Sequence, residues 1–173
     1  MEKPALGIIE YKSVPKGIVS CDRMVKKAPI QILSTHPICP GKYMTIIGGD
    51  VADVSEAMEI GINSAREMLV NDLFLPLVHP TVLPAIAGTT AIESFSAVAI
   101  LETFSVVTCV KAADIAAKTT PVQLIEIRLA NGLGGKAFFT MTGELSDLEA
   151  ALDRAKTYAK NEGMLCDAEL IPA

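Results

Sequence analysis

ALGIIEYKSV, residues 5–14, returns as AVAILETFSV at residues 97–106. The pairing extends well beyond this stretch. Glu10 and Glu102, Ser13 and Ser105, Val14 and Val106, Asp22 and Asp114, Lys26 and Lys118, and Pro29 and Pro121 all fall at the 92-residue offset that relates Ala5 to Ala97. GKYMTIIGGDVADV, from Gly41, then pairs with GKAFFTMTGELSDL, from Gly135, at an offset of 94, and Pro80 pairs with Pro172 back at 92. A two-residue insertion followed by a two-residue deletion accounts for this series. An internal repeat precedes every other inference, because it sets the unit of folding. The chain of 173 residues therefore reads as two small domains, residues 1–78 and 97–173, joined by a linker at 79–96. Units of this size bury modest cores, so packing side by side or oligomerisation is expected to support them.

Each copy carries the same succession of patterns. Ala5 to Tyr11 is an apolar run suited to a buried strand. Ser20 to Lys27 has helical spacing and stops before Pro29. Ile30 to Thr35 is a second strand, His36 to Gly41 a loop rich in proline and glycine, and Tyr43 to Ile47 a third strand. Asp50 or Asp53 can cap a helix running to about Leu69, and Leu73 to Val78 closes the unit. The second copy places strands at Ala97–Thr103, Val122–Leu129, Lys136–Met141 and Leu165–Ile171, with helices at Val107–Lys118 and Leu145–Asn161. The order β-α-β-β-α-β is that of a ferredoxin-like α+β domain. The connection HPTVLPAIAGTTAIESFS is long enough to hold a short helix of its own.

Composition narrows the function. Half of the residues are hydrophobic, yet no apolar run approaches the roughly 18 residues a membrane helix needs. Apolarity of this kind implies surface buried between subunits. A net charge of −5 argues against nucleic acid, which favours a basic stripe. The start, MEKPALGIIE, lacks the basic and long apolar regions of a signal peptide, so the expectation is cytoplasmic. Four cysteines (21, 39, 109 and 166), none at C-x-x-C spacing, then suggest neither a disulfide framework nor a metal site within one chain.

No catalytic constellation is visible. His36 and His79 are the only histidines, and Glu10 and Glu102 lie near no base in sequence. GLGGK lacks the spacing of a phosphate-binding loop, and Ala137 stands where that loop needs Ser or Thr. The copies differ chemically in one loop. ICPGK in the first offers a thiol, Cys39, followed by Pro40, Gly41 and Lys42. GLGGK in the second offers Gly132, Gly134, Gly135 and Lys136. Cys21, Cys109 and Cys166 read as small packing residues.

The first-strand forms ALGIIE and AVAILE, D-x-x-x-K before the second strand, the glycine–lysine loop and G-[DE] opening a long helix together resemble the shell proteins of bacterial microcompartments. The resemblance spans nearly the whole chain. Two fused copies are similar to the tandem-domain class, and ICPGK against GLGGK is similar to its iron–sulfur-bearing members in propanediol-utilisation compartments. It implies two tandem BMC domains, a homotrimer shaped as a pseudo-hexamer, and a place in the shell beside other shell proteins. It also implies a [4Fe–4S] cluster on the three-fold axis, held by Cys39 of three chains, with encapsulated redox enzymes as candidate partners. Soft thiolates suit such a cluster. Pro40, Gly41, Lys42, Gly132, Gly134, Gly135 and Lys136 become pore-loop residues. Lys26 and Lys118 become contacts along the flat tile edge, with His79 beside them. Three alternatives stand against the cluster: a three-cysteine zinc or iron site that His36 could join, an axial metabolite pore without a cluster, and a soluble enzyme or ligand sensor. The plain reading of Lys26 and Lys118 is that of helix-end lysines favoured by the helix dipole.

Overall fold

The computed structural model describes residues 5–92, 94 and 96–173. It divides into two compact units, residues 1–78 and 79–173, so the connecting segment packs with the second copy. The first unit runs β1 (Ala5–Tyr11), α1 (Val14–Lys27), β2 (Gln31–Ile38), β3 (Lys42–Gly49), α2 (Val51–Ser64) and β4 (Leu69–Leu75), with a 3-10 turn at Arg66–Met68. The second opens with a short helix, α3 (Val82–Ala87). It continues with β5 (Ala97–Thr103), α4 (Val106–Thr119), β6 (Gln123–Leu129), β7 (Ala137–Gly143), α5 (Leu145–Asn161) and β8 (Leu165–Ile171). Each sheet is four-stranded, ordered β2-β3-β1-β4 and β6-β7-β5-β8, with every neighbouring pair antiparallel. This is the ferredoxin-like arrangement in both units.

Several boundaries differ from the sequence expectation. Helix α1 starts six residues early, at Val14, because the Ser13 hydroxyl accepts the Lys16 N–H at 3.4 Å and Pro15 sits in the first turn, where no N–H is needed. Ser105 caps α4 in the same way, accepting from Thr108. Strand β2 runs through His36 and Pro37 to Ile38, so the expected loop at 36–41 shrinks to Cys39–Gly41. Pro37 is tolerated because β2 is an edge strand. Helix α2 stops at Ser64, and β4 lies four residues earlier than the pattern suggested.

Strand register also revises the repeat. Ala5 pairs with Gly49 and Ala97 with Gly143, which fits offsets of 92 and 94. Leu6 then pairs with Leu75 and Val98 with Ile171, an offset of 96 between the last strands. Two successive insertions, with no deletion, separate the copies, and the match of Pro80 to Pro172 is coincidental. Pro172 directly follows β8, whereas Pro80 lies five residues past β4.

One face of each sheet carries the two helices. In the first unit Ile9, Tyr11 and Ile47 pack there with Met24, Val54 and Met58. The helix contact is close: a Cβ on Gly17 would stand 2.4 Å from the Tyr43 ring. The Tyr11 hydroxyl donates to the Gly61 carbonyl at 2.8 Å and also bonds Ser20. In the second unit α3 packs on β6 and α4, burying Val82 and Ala85.

Candidate functional site

The β2–β3 turn is Cys39-Pro40-Gly41, held between buried Ile38 and buried Tyr43. Cys39 is a free, half-buried cysteine, while Pro40 and Gly41 are exposed. The Cys39–Pro40 peptide is cis. Gly41 has φ +75°, a conformation that an L side chain adopts only with strain, and open space surrounds its α-carbon. The matching β6–β7 turn spans residues 130–136. Gly132, Gly134 and Gly135 all have positive φ, as does the buried Ala130. Open space surrounds Gly132 and Gly134 as well. One turn therefore bears a thiol beside a proline; its counterpart is glycine-lined and bears no thiol.

Each turn ends in a lysine tied to the first strand of its own sheet. Lys42 Nζ donates to Glu10 Oε2 at 2.9 Å, and Lys136 Nζ to Glu102 Oε1 at 2.7 Å. The sequence left both glutamates without a base; the antiparallel register supplies one to each. Burial separates the two pairs. Glu10 is fully buried, and its Oε1 has no hydrogen-bond partner among the described residues. Glu102 is a quarter exposed. Lys136, and secondarily the Cys166 thiol, hold the Glu102 carboxyl below the usual carboxylate range.

The sequence reads Cys166 as a packing residue, but the structure gives its thiol a polar partner. It occupies the β8 bulge opposite Glu102 and Thr103, where its thiol bonds the Glu102 carboxylate and is pushed up in pKa by that bond. Val70 holds the matching bulge in β4. The repeat of Glu10 with Lys42 as Glu102 with Lys136 was a usable signal for these pairs, but the third member needed the corrected offset. Cys21 and Cys109 are buried, and burial pushes the Cys109 thiol up.

Among the described residues, no group of three or more His, Cys, Asp or Glu side chains could hold a metal within one chain. His36 sits in β2 rather than in the turn, with Nδ1 3.0 Å from the Ser34 hydroxyl. A metal on Cys39 would therefore be shared between chains.

At the far end of the first helices, Lys26 extends from α1 and bonds Asp22 at 2.7 Å, both exposed. Lys118 bonds Asp114 at 2.6 Å, yet Asp114 is buried, because the connecting segment covers it and the His79 backbone N–H donates to its other oxygen at 2.8 Å. His79 and Lys118 thus converge on one carboxylate. Among the described residues, no helix is long and apolar enough to cross a membrane.

Comparison with known proteins places this geometry. The BMC domain model matches twice, at residues 5–78 and 97–173. The bacterial microcompartment shell protein PduT of Citrobacter freundii is 40% identical over 168 residues, covering 97% of this chain and 91% of that protein. The carboxysome assembly protein CcmO of Synechococcus elongatus is 27% identical over 180 residues, covering 97% of this chain and 64% of its own length. A solved microcompartment protein from Desulfitobacterium hafniense superposes with a TM-score of 0.92 at 40% identity, covering 98% of this chain and 94% of that one.

Proposed function

We propose, from the premise that this chain belongs to the BMC-domain family and is a structural shell protein of a bacterial microcompartment, that it forms a homotrimeric tile with a [4Fe–4S] cluster on its axis. The tile would join other shell proteins in a facet. The observation that carries the proposal is the single half-buried Cys39 thiol at the tip of the β2–β3 turn, set against a glycine turn at the same place in the second unit.

A closed ring of three copies places one such thiol at three symmetry-related positions. Those three thiolates would hold the cluster, one from each chain. The donor set fits this group: a soft, partly exposed sulfur in a chain whose described residues hold no group of three or more His, Cys, Asp or Glu for a metal of its own. When bound, the cluster supplies one-electron chemistry. The role proposed is electron transfer, or passage of the cluster, across the shell, serving redox enzymes inside. Pro40 fixes the backbone beside the thiol, and Gly132 and Gly134 leave open space beside their own backbone in the β6–β7 turn.

Anaerobic purification with iron and sulfide analysis tests this. A filled trimer holds about 1.3 iron atoms per chain, with a broad visible absorption that bleaches on reduction, and both vanish in Cys39→Ser. A colourless anaerobic protein free of iron and sulfide overturns the cluster and leaves a shell trimer with an open axial pore.

A further inference from the structure

Three of the four asparagines lie in regular structure, and the fourth does not. Asn63 is in α2, and its Oδ1 accepts from Arg66 at 2.8 Å. Asn71 is in β4, and its Oδ1 accepts the Asp72 backbone N–H at 2.9 Å. Asn161 closes α5. Asn131 sits exposed in the β6–β7 turn. It also precedes a glycine, whereas Ser64, Asp72 and Glu162 follow the other three. That glycine, Gly132, is exposed, has φ +74°, and would bring an added Cβ to nothing within 4 Å. The first unit's turn, Cys39-Pro40-Gly41, contains no asparagine.

We propose that Asn131-Gly132 is a self-modifying site, at which a neutral amide becomes a carboxylate without an enzyme. The Gly132 backbone nitrogen, its proton taken by water or hydroxide, attacks Cγ of Asn131. The new N–Cγ bond closes a succinimide ring, and the Cγ–Nδ2 bond breaks to release ammonia. Water then opens the ring at either carbonyl, leaving aspartate or isoaspartate. Nothing is oxidised or reduced, and water is the only co-reactant. The attack needs the backbone to swing toward the preceding side chain. Helix and strand hold the other asparagines away from that geometry, and the side chain of each following residue crowds it. A glycine in an exposed turn permits it, because no Cβ restricts its backbone and turns move more than the elements they join.

The chemistry stands on this turn alone; its consequence rests on the trimer reading above. A ring of three copies repeats the turn around its axis. Full conversion then adds one negative charge per chain beside the cluster. Cluster potentials follow net charge, so the converted tile should be harder to reduce. The thiol-bearing turns stay as they were, and the change enters through the second unit only.

Peptide mass mapping of the full-length protein, aged at mildly alkaline pH, tests the site, with an isoaspartyl methyltransferase counting the isoaspartate. Asn131 is expected to convert several-fold faster than Asn63, Asn71 and Asn161, and faster still as pH rises. Native isoelectric focusing should show an acidic step that is lost in Asn131→Gln. Conversion no faster at Asn131 than at the other three overturns the proposal. For the consequence, Asn131→Asp stands for the converted turn, and its cluster should have a lower midpoint potential than that of Asn131→Gln. Equal potentials overturn the consequence and leave the modification. A protein that holds no cluster overturns the function proposed above, while the mapping still decides the modification.

Discussion

Lys42 reaches across the β1–β3 pair to Glu10, 2.9 Å away, and among the described residues is the one partner of a carboxylate otherwise sealed from water. Two strands that the chain visits 32 residues apart are locked by this bond, three residues past Cys39. It anchors the end of the thiol-bearing turn to the centre of the sheet.

The first prediction concerns that anchor. Lys42→Met strands a buried carboxylate and should cost about 3 kcal/mol of stability, the expected loss when one partner of a buried pair is removed. Lys136→Met, at the repeat-related position, should shift the unfolding midpoint far less, because Lys136 and Glu102 are both open to solvent. Urea unfolding of the two variants decides it, and equal shifts would contradict the burial difference.

The aspartates of the repeat should also part company. Asp114→Asn weakens two charge-assisted bonds at a buried site and should cost about 1–3 kcal/mol. Asp22→Asn, on an exposed pair, should fall within about 0.5 kcal/mol of the parent. Hydrogen exchange adds a local readout: residues 79–87 should lose protection in Asp114→Asn alone. Unchanged exchange there would mean that Asp114 does not hold the connecting segment.

The four thiols should alkylate in an order set by exposure and by the Glu102 bond. Cys39 reacts first in the metal-free native protein. Cys166 follows, slowed because Glu102 favours its protonated form, and the thiolate is the nucleophile. Cys21 and Cys109 react only on unfolding. Glu102→Gln should speed Cys166 and leave Cys39 unchanged. Mass-spectrometric timing at neutral pH measures all four, and a Cys166 as fast as Cys39 would remove the Glu102 bond from the account.

Much of the fold was legible in the chain. β1, β5, α5 and β8 have the bounds their patterns predicted, since each is a well-delimited apolar or periodic stretch. The misplaced ends sit where a local signal competes with tertiary pairing. His36-Pro37 reads as a loop by composition, but β3 recruits it into the edge of the sheet. The 96-residue offset of the last strands was hidden, because α5 is longer than α2 and two prolines align by chance.

At the candidate site, the contrast of ICPGK with GLGGK was fully readable, because it is a difference of residue type at matched positions. Glu10 with Lys42 and Glu102 with Lys136 are signalled only by their recurrence in both copies, while Cys166 with Glu102, and His79 with Lys118 through Asp114, are not readable. Each joins residues distant in the chain, and strand register or the docking of the connecting segment decides which of them meet.

The sequence by itself determined that two copies of one ferredoxin-like unit are present and that only one offers a thiol in its β2–β3 turn. Repeat, periodicity and residue type are properties of the chain, and they survive any error in strand ends. Tertiary structure alone decided burial: that Glu10 is sealed while Glu102 is open, that α4 is covered while α1 is bare, and that Cys166 answers to a carboxylate. Burial depends on what packs over a residue, and near-identical copies of one pattern acquire different surroundings once they share a chain.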